Sequence, residues 1–173
     1  GGDTVNSIKA AAEFGLTKKQ NLAALLMLLT DVHALGLNTA QGLYLTEGWY
    51  WDLNDESRKW ASRYEAVMKK KPNSNHASVY SSTLHYLKAV QAAGTDEGKA
   101  VMARMKATPI NDFSMKNVRI REDGQTMRPV YAALVKTPAE SKGKYDYYTI
   151  KGEIPGEQVF RPLAEGGCDF VKK

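Results

Sequence analysis

Three short stretches carry side chains able to do chemistry. Thr30-Asp31-Val32-His33 sets a carboxylate two residues from an imidazole. Such a pair can hold a ligand ammonium or hydroxyl, or act as acid and base. Gly1-Gly2-Asp3 reads as the turn that follows a strand in a β-turn-α unit, and a helix opening there offers free N–H groups to a ligand carboxylate. Glu47-Gly48-Trp49-Tyr50-Trp51-Asp52 places three large aromatics between acids, too polar at its edges for a buried strand and too apolar for an ordinary loop. Trp49 and Tyr50 can cover the apolar body of a small ligand. Each stretch also has a plainer structural reading: Asp31 ends a strand, and alternation sends at least one of the three aromatics into a core.

The remaining parts of an enzyme are missing. There is no Gly-x-Gly-x-x-Gly or Walker-type loop to cradle phosphates, and no Gly-x-Ser-x-Gly elbow. His33, His76 and His85 have no partner at metal-ligand spacing, and His76 and His85 fall on opposite sides of one helix. A single cysteine, Cys168, leaves no internal disulfide and no cysteine-based metal site. The expectation is therefore a protein without catalytic residues, metal or cofactor. The net charge is +5, but the basic residues are scattered, and the run Lys69-Lys70-Lys71 suits the solvated end of a helix. Without a basic stripe interleaved with aromatics, nucleic-acid binding is excluded. The longest apolar run, Leu22 to Leu29, is too short to span a bilayer. No secretory signal is read at the start, and opening on Gly1-Gly2 rather than Met leads us to expect that the natural N-terminus has been removed.

Elements must position these residues, and the 173-residue chain, 43% apolar, suffices for one good core or two small ones. Asp3 or Thr4 can cap a helix carrying Val5, Ile8, Ala12 and Phe14, stopped by Gly15. The gapless run LAALLMLL, from Leu22 to Leu29, predicts a strand buried on both faces, and Gln41 to Thr46 a second strand. Ligands of open α/β sheets bind beyond the carboxyl ends of the strands. That rule brings Gly1 to Asp3, Asp31 with His33, and the aromatic trio to one rim.

Three helices follow. The first is capped by Asn54 or Asp55, with Trp60, Tyr64, Val67 and Met68 on one face. The second runs from Ala77 to Ala93 with Tyr80, Leu84, Leu87 and Val90 aligned, and the third from Asp96 to Thr108 before Pro109. No strands lie between them to bury their apolar faces. Val118 to Arg121 and Val130 to Val135 predict a hairpin around Asp123-Gly124, Tyr145 to Ile150 predicts one more strand, and the tail reads as irregular. The resulting regions are residues 1–47 (α/β), 48–117 (helical) and 118–173 (strands and tail).

Read in order, GGDTVNSIKAAAEFGL, LLTDVHALGL, GLYLTEGWYWDLND, HASVYSSTLHYLKAVQAAGT, VRIREDGQ and KYDYYTIKGEIPGEQVFRPL resemble the C-terminal half of type I periplasmic substrate-binding proteins of ABC transporters. The subgroup it most resembles holds the branched-chain amino acid receptors and their relatives for aromatic acids and other small carboxylates. The resemblance implies an α/β fold of two Rossmann-like layered lobes joined by three crossings, here with an incomplete N-terminal lobe. It assigns 1–47 and 118–173 to the C-terminal lobe and 48–117 to the helical part of the N-terminal one. Gly1, Gly2 and Asp3 match a segment beside the ligand, and Asp31 matches an acid for a ligand ammonium. Glu47 to Trp51 match a hinge crossing, and His76 a position where leucine-type receptors carry an aromatic, for which Tyr80 can compensate. The implied protein is periplasmic. It captures an amino acid or an aromatic or aliphatic carboxylate and hands it to an ABC transporter permease, without nucleic acid or cofactor. A ligand-sensing module of the same fold and a truncated, non-binding fragment are the alternatives, and the uncovered helices predict self-association or pairing with a missing N-terminal fragment.

Overall fold

A four-stranded sheet, ordered β1-β2-β3-β4, organises the first part of the computed structural model, which describes residues 1–169 and 171. Strand β1 (Ala23–Ala24) pairs in parallel with β2 (Tyr44–Glu47), which pairs antiparallel with β3 (Val130–Val135) so that Glu47 faces Tyr131. Strand β4 (Tyr148–Ile154) closes the far edge. Helices α1 (Gly2–Glu13), α2 (Leu29–Leu35) and α3 (Leu37–Ala40) accompany it. Their buried Ile8, Leu29, Val32 and Ala40 share a core with Leu45 and Val135 of the strands.

Local chemistry explains the helix ends. Helix α1 opens after Gly1 with no side-chain cap, so neither Asp3 nor Thr4 plays the expected capping role, while Gly15 at φ 72° supplies the expected left-handed stop. Helix α4 (Asp55–Met68) is capped by Asn54, whose side chain accepts the Ser57 N–H at 2.9 Å. Trp60 is buried there, but Val67 and Met68 are exposed, against the expected apolar face.

The predicted strand over Leu22–Leu29 shrinks to two residues. Leu25 and Leu26 stand exposed at 93% and 79%, and α2 begins at Leu29. A gapless apolar run has no period, so other signals decide its fate. Here Asp31 decides, its Oδ2 accepting the Leu28 N–H at 2.9 Å and fixing a helix start where a strand was expected.

The chain divides into two units, residues 1–74 with 130–153, and 75–129 with 154–173. Three crossings result, but near residues 74, 129 and 153 rather than 47 and 117. The first boundary moves because the segment after β2 returns to its own core: Tyr50 belongs to it, and Trp49 meets Trp60 of α4 edge-on at 5.4 Å between ring centres. The second moves because the expected hairpin does not form. Asp123-Gly124 does turn, with Gly124 at φ 87°, but Val118–Arg121 makes only single bridges, Ile110 to Val118 and Ile120 to Thr126. Val130–Val135 pairs with β2 instead.

The second unit is built on α5 (Ser74–Ala93), α6 (Gly98–Ala107) and the short α7 (Gly156–Val159). Helix α5 buries Ala77, Ser81, His85 and Ala89, a row of four-residue steps, and not the larger Tyr80 and Leu87 that the apolar pattern selected. The polar members of that row have partners. Ser81 donates to the Asp112 carboxylate at 2.5 Å, and His85 Nε2 donates to the Met105 carbonyl at 3.0 Å, tying α5 to α6. Helix α6 starts at Gly98, two residues later than expected, and both carboxylate oxygens of its cap, Glu97, accept backbone N–H groups, from Lys99 and Ala100. Among the described residues no helix is long and apolar enough to cross a membrane.

Candidate functional site

Asp31 and His33 both lie on α2, but two residues on a helix are about 200° apart, so they look to different neighbours. Asp31 faces the start of α1: its Oδ1 is 3.6 Å from the Gly1 amine while its Oδ2 caps Leu28. His33 is exposed and leans on the loop between β3 and β4. Its Nδ1 is 2.7 Å from the Tyr147 hydroxyl, its ring is near-parallel to that of Tyr147, and the Tyr145 ring centre is 4.7 Å away.

Two of the three aromatics answer to the same loop. The Tyr50 hydroxyl donates to the Tyr145 carbonyl at 3.0 Å and accepts the Tyr147 N–H at 3.1 Å. Trp51 Nε1–H donates to the same carbonyl at 2.8 Å, and Lys71 Nζ sits 4.5 Å over the Trp51 ring. Trp49 points elsewhere, its Nε1–H donating to Ser57 Oγ at 3.0 Å. Trp49 and Tyr50 are only 2% and 3% exposed. This corrects the expectation that they stand open to a ligand: their rings fill the interior and their polar atoms serve the protein.

Beside Tyr50 lies a second buried polar pair. Glu47, at the carboxyl end of β2, is 3% exposed, and the Tyr148 hydroxyl is buried without a hydrogen bond of good geometry. Burial, then the nearby Glu47 carboxylate, pushes the Tyr148 phenol far above its ordinary pKa. Burial likewise raises Tyr50, against the lowering effect of the Tyr147 and Tyr148 N–H groups. Both phenols are held neutral. No group of three metal-ligating side chains occurs among the described residues.

A family model described as "Periplasmic binding protein" matches residues 1–144. The chain belongs to the periplasmic binding protein family. A periplasmic binding protein from Burkholderia mallei is 54% identical over 99% of this chain, with a TM-score of 0.94. A branched-chain amino acid ABC transporter periplasmic ligand-binding protein from Burkholderia xenovorans is 37% identical over 98%, with a TM-score of 0.90. The chain spans 46% of the length of each of these solved relatives. A branched-chain amino acid transporter substrate-binding protein from Streptococcus pneumoniae, solved with isoleucine, shares the fold at 11% identity, covering 88% of this chain and 41% of that one, with a TM-score of 0.69. No curated protein matches the chain.

In this binding-protein chain the nine residues singled out in the sequence are therefore distributed. Gly1, Gly2 and Asp3 are exposed or nearly so at the start of α1, next to Asp31. His76 and Tyr80 belong to the second unit, half-buried and 40% exposed, with Tyr80 edge-on to Phe113 at 5.8 Å. A cavity of about 190 Å³ in that unit, beside Ser81, His85, Lys88 and Asn111, is lined by neither. Sequence reading missed Tyr145, Tyr147 and Tyr148, whose signal was the density of tyrosine in KYDYYTI, and it missed the burial of Glu47.

Proposed function

We propose that this chain is part of an extracytoplasmic solute-binding protein. The whole protein traps a small amino acid or other carboxylate between two lobes and passes it to an ABC transporter permease, by binding and without turnover. The observation that carries this reading is the family match over residues 1–144, together with 54% and 37% identity to solved periplasmic binding proteins. The division into two units by three crossings supports hinge closure as the means of capture. In this reading the first unit belongs to the C-terminal lobe and the second to the N-terminal one. Gly1 to Asp3, Asp31 and His33 of the first unit and His76 and Tyr80 of the second are the ligand contacts we would test by substitution.

Ligand-dependent thermal shift of the complete protein tests it. A ligand at a hundred times its Kd stabilises the folded state by about 2.7 kcal/mol. We expect such a shift with L-isoleucine or with phenylacetate. A protein that neither these nor other small amino and aromatic acids shift at millimolar concentration does not have this function.

A further inference from the structure

We propose that the cavity of the second unit is a separate site for a short hydroxy acid, whose hydroxyl donates to His85 Nδ1 and whose carboxylate meets Lys88. The site stands apart from the solute-binding reading and uses none of the residues offered there.

The cavity of about 190 Å³ lies between α5 and residues 108–112, wholly within that unit. Its base is buried and mixed: Ala89 and Ile110 are apolar, while Ser81 and His85 carry polar atoms. His85 is 6% exposed, and its Nε2 lies 3.0 Å from the Met105 carbonyl, which can only accept. The proton of the neutral imidazole therefore sits on Nε2, and Nδ1 is left as an acceptor. Nδ1 has no hydrogen-bond partner among the described residues, and the only side-chain atom sealed among them without a partner is the Tyr148 hydroxyl. Nδ1 thus reaches open space, and the space that His85 borders is this cavity. What completes it is a donor.

The charge comes from the same face of α5. Lys88, three residues on from His85 and so beside it, lines the cavity without an ion-pair partner among the described residues. Asn111 Oδ1 accepts the Asn117 N–H at 2.8 Å, which leaves the NH2 of this exposed lining residue as a second donor. The acid of the lining is already committed: Asp112 accepts from Ser81, from Ser114 and from the Met115 N–H. The uncommitted charge is positive and selects an anion. A ligand ammonium would crowd the Lys88 ammonium, so the donor that Nδ1 calls for is a neutral hydroxyl. Leu84 and Pro109 give the ligand body apolar walls. The volume falls below roughly 300 Å³, the lower end of ordinary ligand pockets, which limits the ligand to a few carbons.

Titration of the 173-residue chain with 2-hydroxyisovalerate tests the site by ¹H–¹⁵N correlation. At about 20 mM, within reach of so small a ligand, the amide signals of Ala89, Ala92, Ile110 and Asn111 should move. Long-range correlation at about pH 8, where imidazole is neutral, should report the Nε2–H tautomer of His85. Isovalerate, which lacks the hydroxyl, should bind about tenfold more weakly. Valine, which carries an ammonium in its place, should leave the four amides unmoved. Lys88→Met, at an exposed position, should weaken binding about tenfold while the urea midpoint stays unchanged. Signals that stay fixed, or that move only in the first unit, overturn the site. An Nδ1–H tautomer, or isovalerate bound as tightly as the hydroxy acid, overturns the role of His85. Valine moving the same amides equally, or unchanged binding in Lys88→Met, overturns the choice of ligand.

Discussion

The run Trp49-Tyr50-Trp51 shows how one residue type takes different duties within three positions. Trp49 fills the space beside α4, Tyr50 knots two backbone groups of the β3–β4 loop, and Trp51 shares one of them while carrying Lys71 on its face. The knot makes a quantitative demand. Tyr50→Phe keeps the ring but strips the acceptor from the Tyr147 N–H and one of two donors from the Tyr145 carbonyl. A buried N–H left without a partner costs about 1–3 kcal/mol, so urea unfolding should show that loss as a lower midpoint at unchanged slope. Trp51→Phe removes only the second donor to a carbonyl that Tyr50 still satisfies, and should cost less. Equal stability of Tyr50→Phe and the parent protein would mean that the left-handed backbone of Tyr145, at φ 72°, is held by something else.

At the level of elements, the turn Arg121–Gln125 gives a clean electrostatic test. Arg121 donates from Nε and Nη2 to the two Asp123 oxygens at 2.9 and 2.7 Å, and the guanidinium holds the Asp123 pKa at about 2, below its ordinary 3.8. A carboxyl depressed by folding adds stability that is fully present above its unfolded pKa and is lost as pH falls through the folded value. Thermal unfolding of the parent protein should therefore weaken between about pH 4 and pH 2 more steeply than that of Asp123→Asn. Matching slopes would show that the pair does nothing for the turn. Such local devices are what could be read from sequence. Asn54 before α4, Gly15 after α1, Pro109 after α6 and Asp123-Gly124 each act within a few residues. Pairing was not legible, because β3 chooses β2 over the nearer Val118–Arg121 for reasons that lie far along the chain. LAALLMLL was misread because eight apolar residues have no period, and the acid that starts α2 follows them. The candidate site shows the same split. Asp31 and His33 stand out by residue type, but the partner that orients His33 is 114 residues away.

For the whole molecule, the exposed apolar surface of α5 calls for an explanation. Val79, Tyr80, Tyr86 and Leu87 are 65%, 40%, 43% and 56% exposed. Their spacing of seven, 79 to 86 and 80 to 87, lines them up as one stripe along the helix. Fully burying an aliphatic side chain of this size is worth about 1.5–3 kcal/mol, so a surface that covers the stripe gains several times the thermal energy. The sequence had already predicted helices whose apolar faces find no strands, and the chain spans only 46% of the length of its solved relatives. We therefore expect the isolated 173-residue chain to self-associate in a concentration-dependent way. Light scattering coupled to gel filtration should show its mass rising with concentration, and Leu87→Asp should push it back towards the monomer by placing a charge in the middle of the contact. Association that persists unchanged in Leu87→Asp would move the interface off this helix. A strictly monomeric parent chain at every concentration would mean that the stripe is stable in water and has no need of a cover.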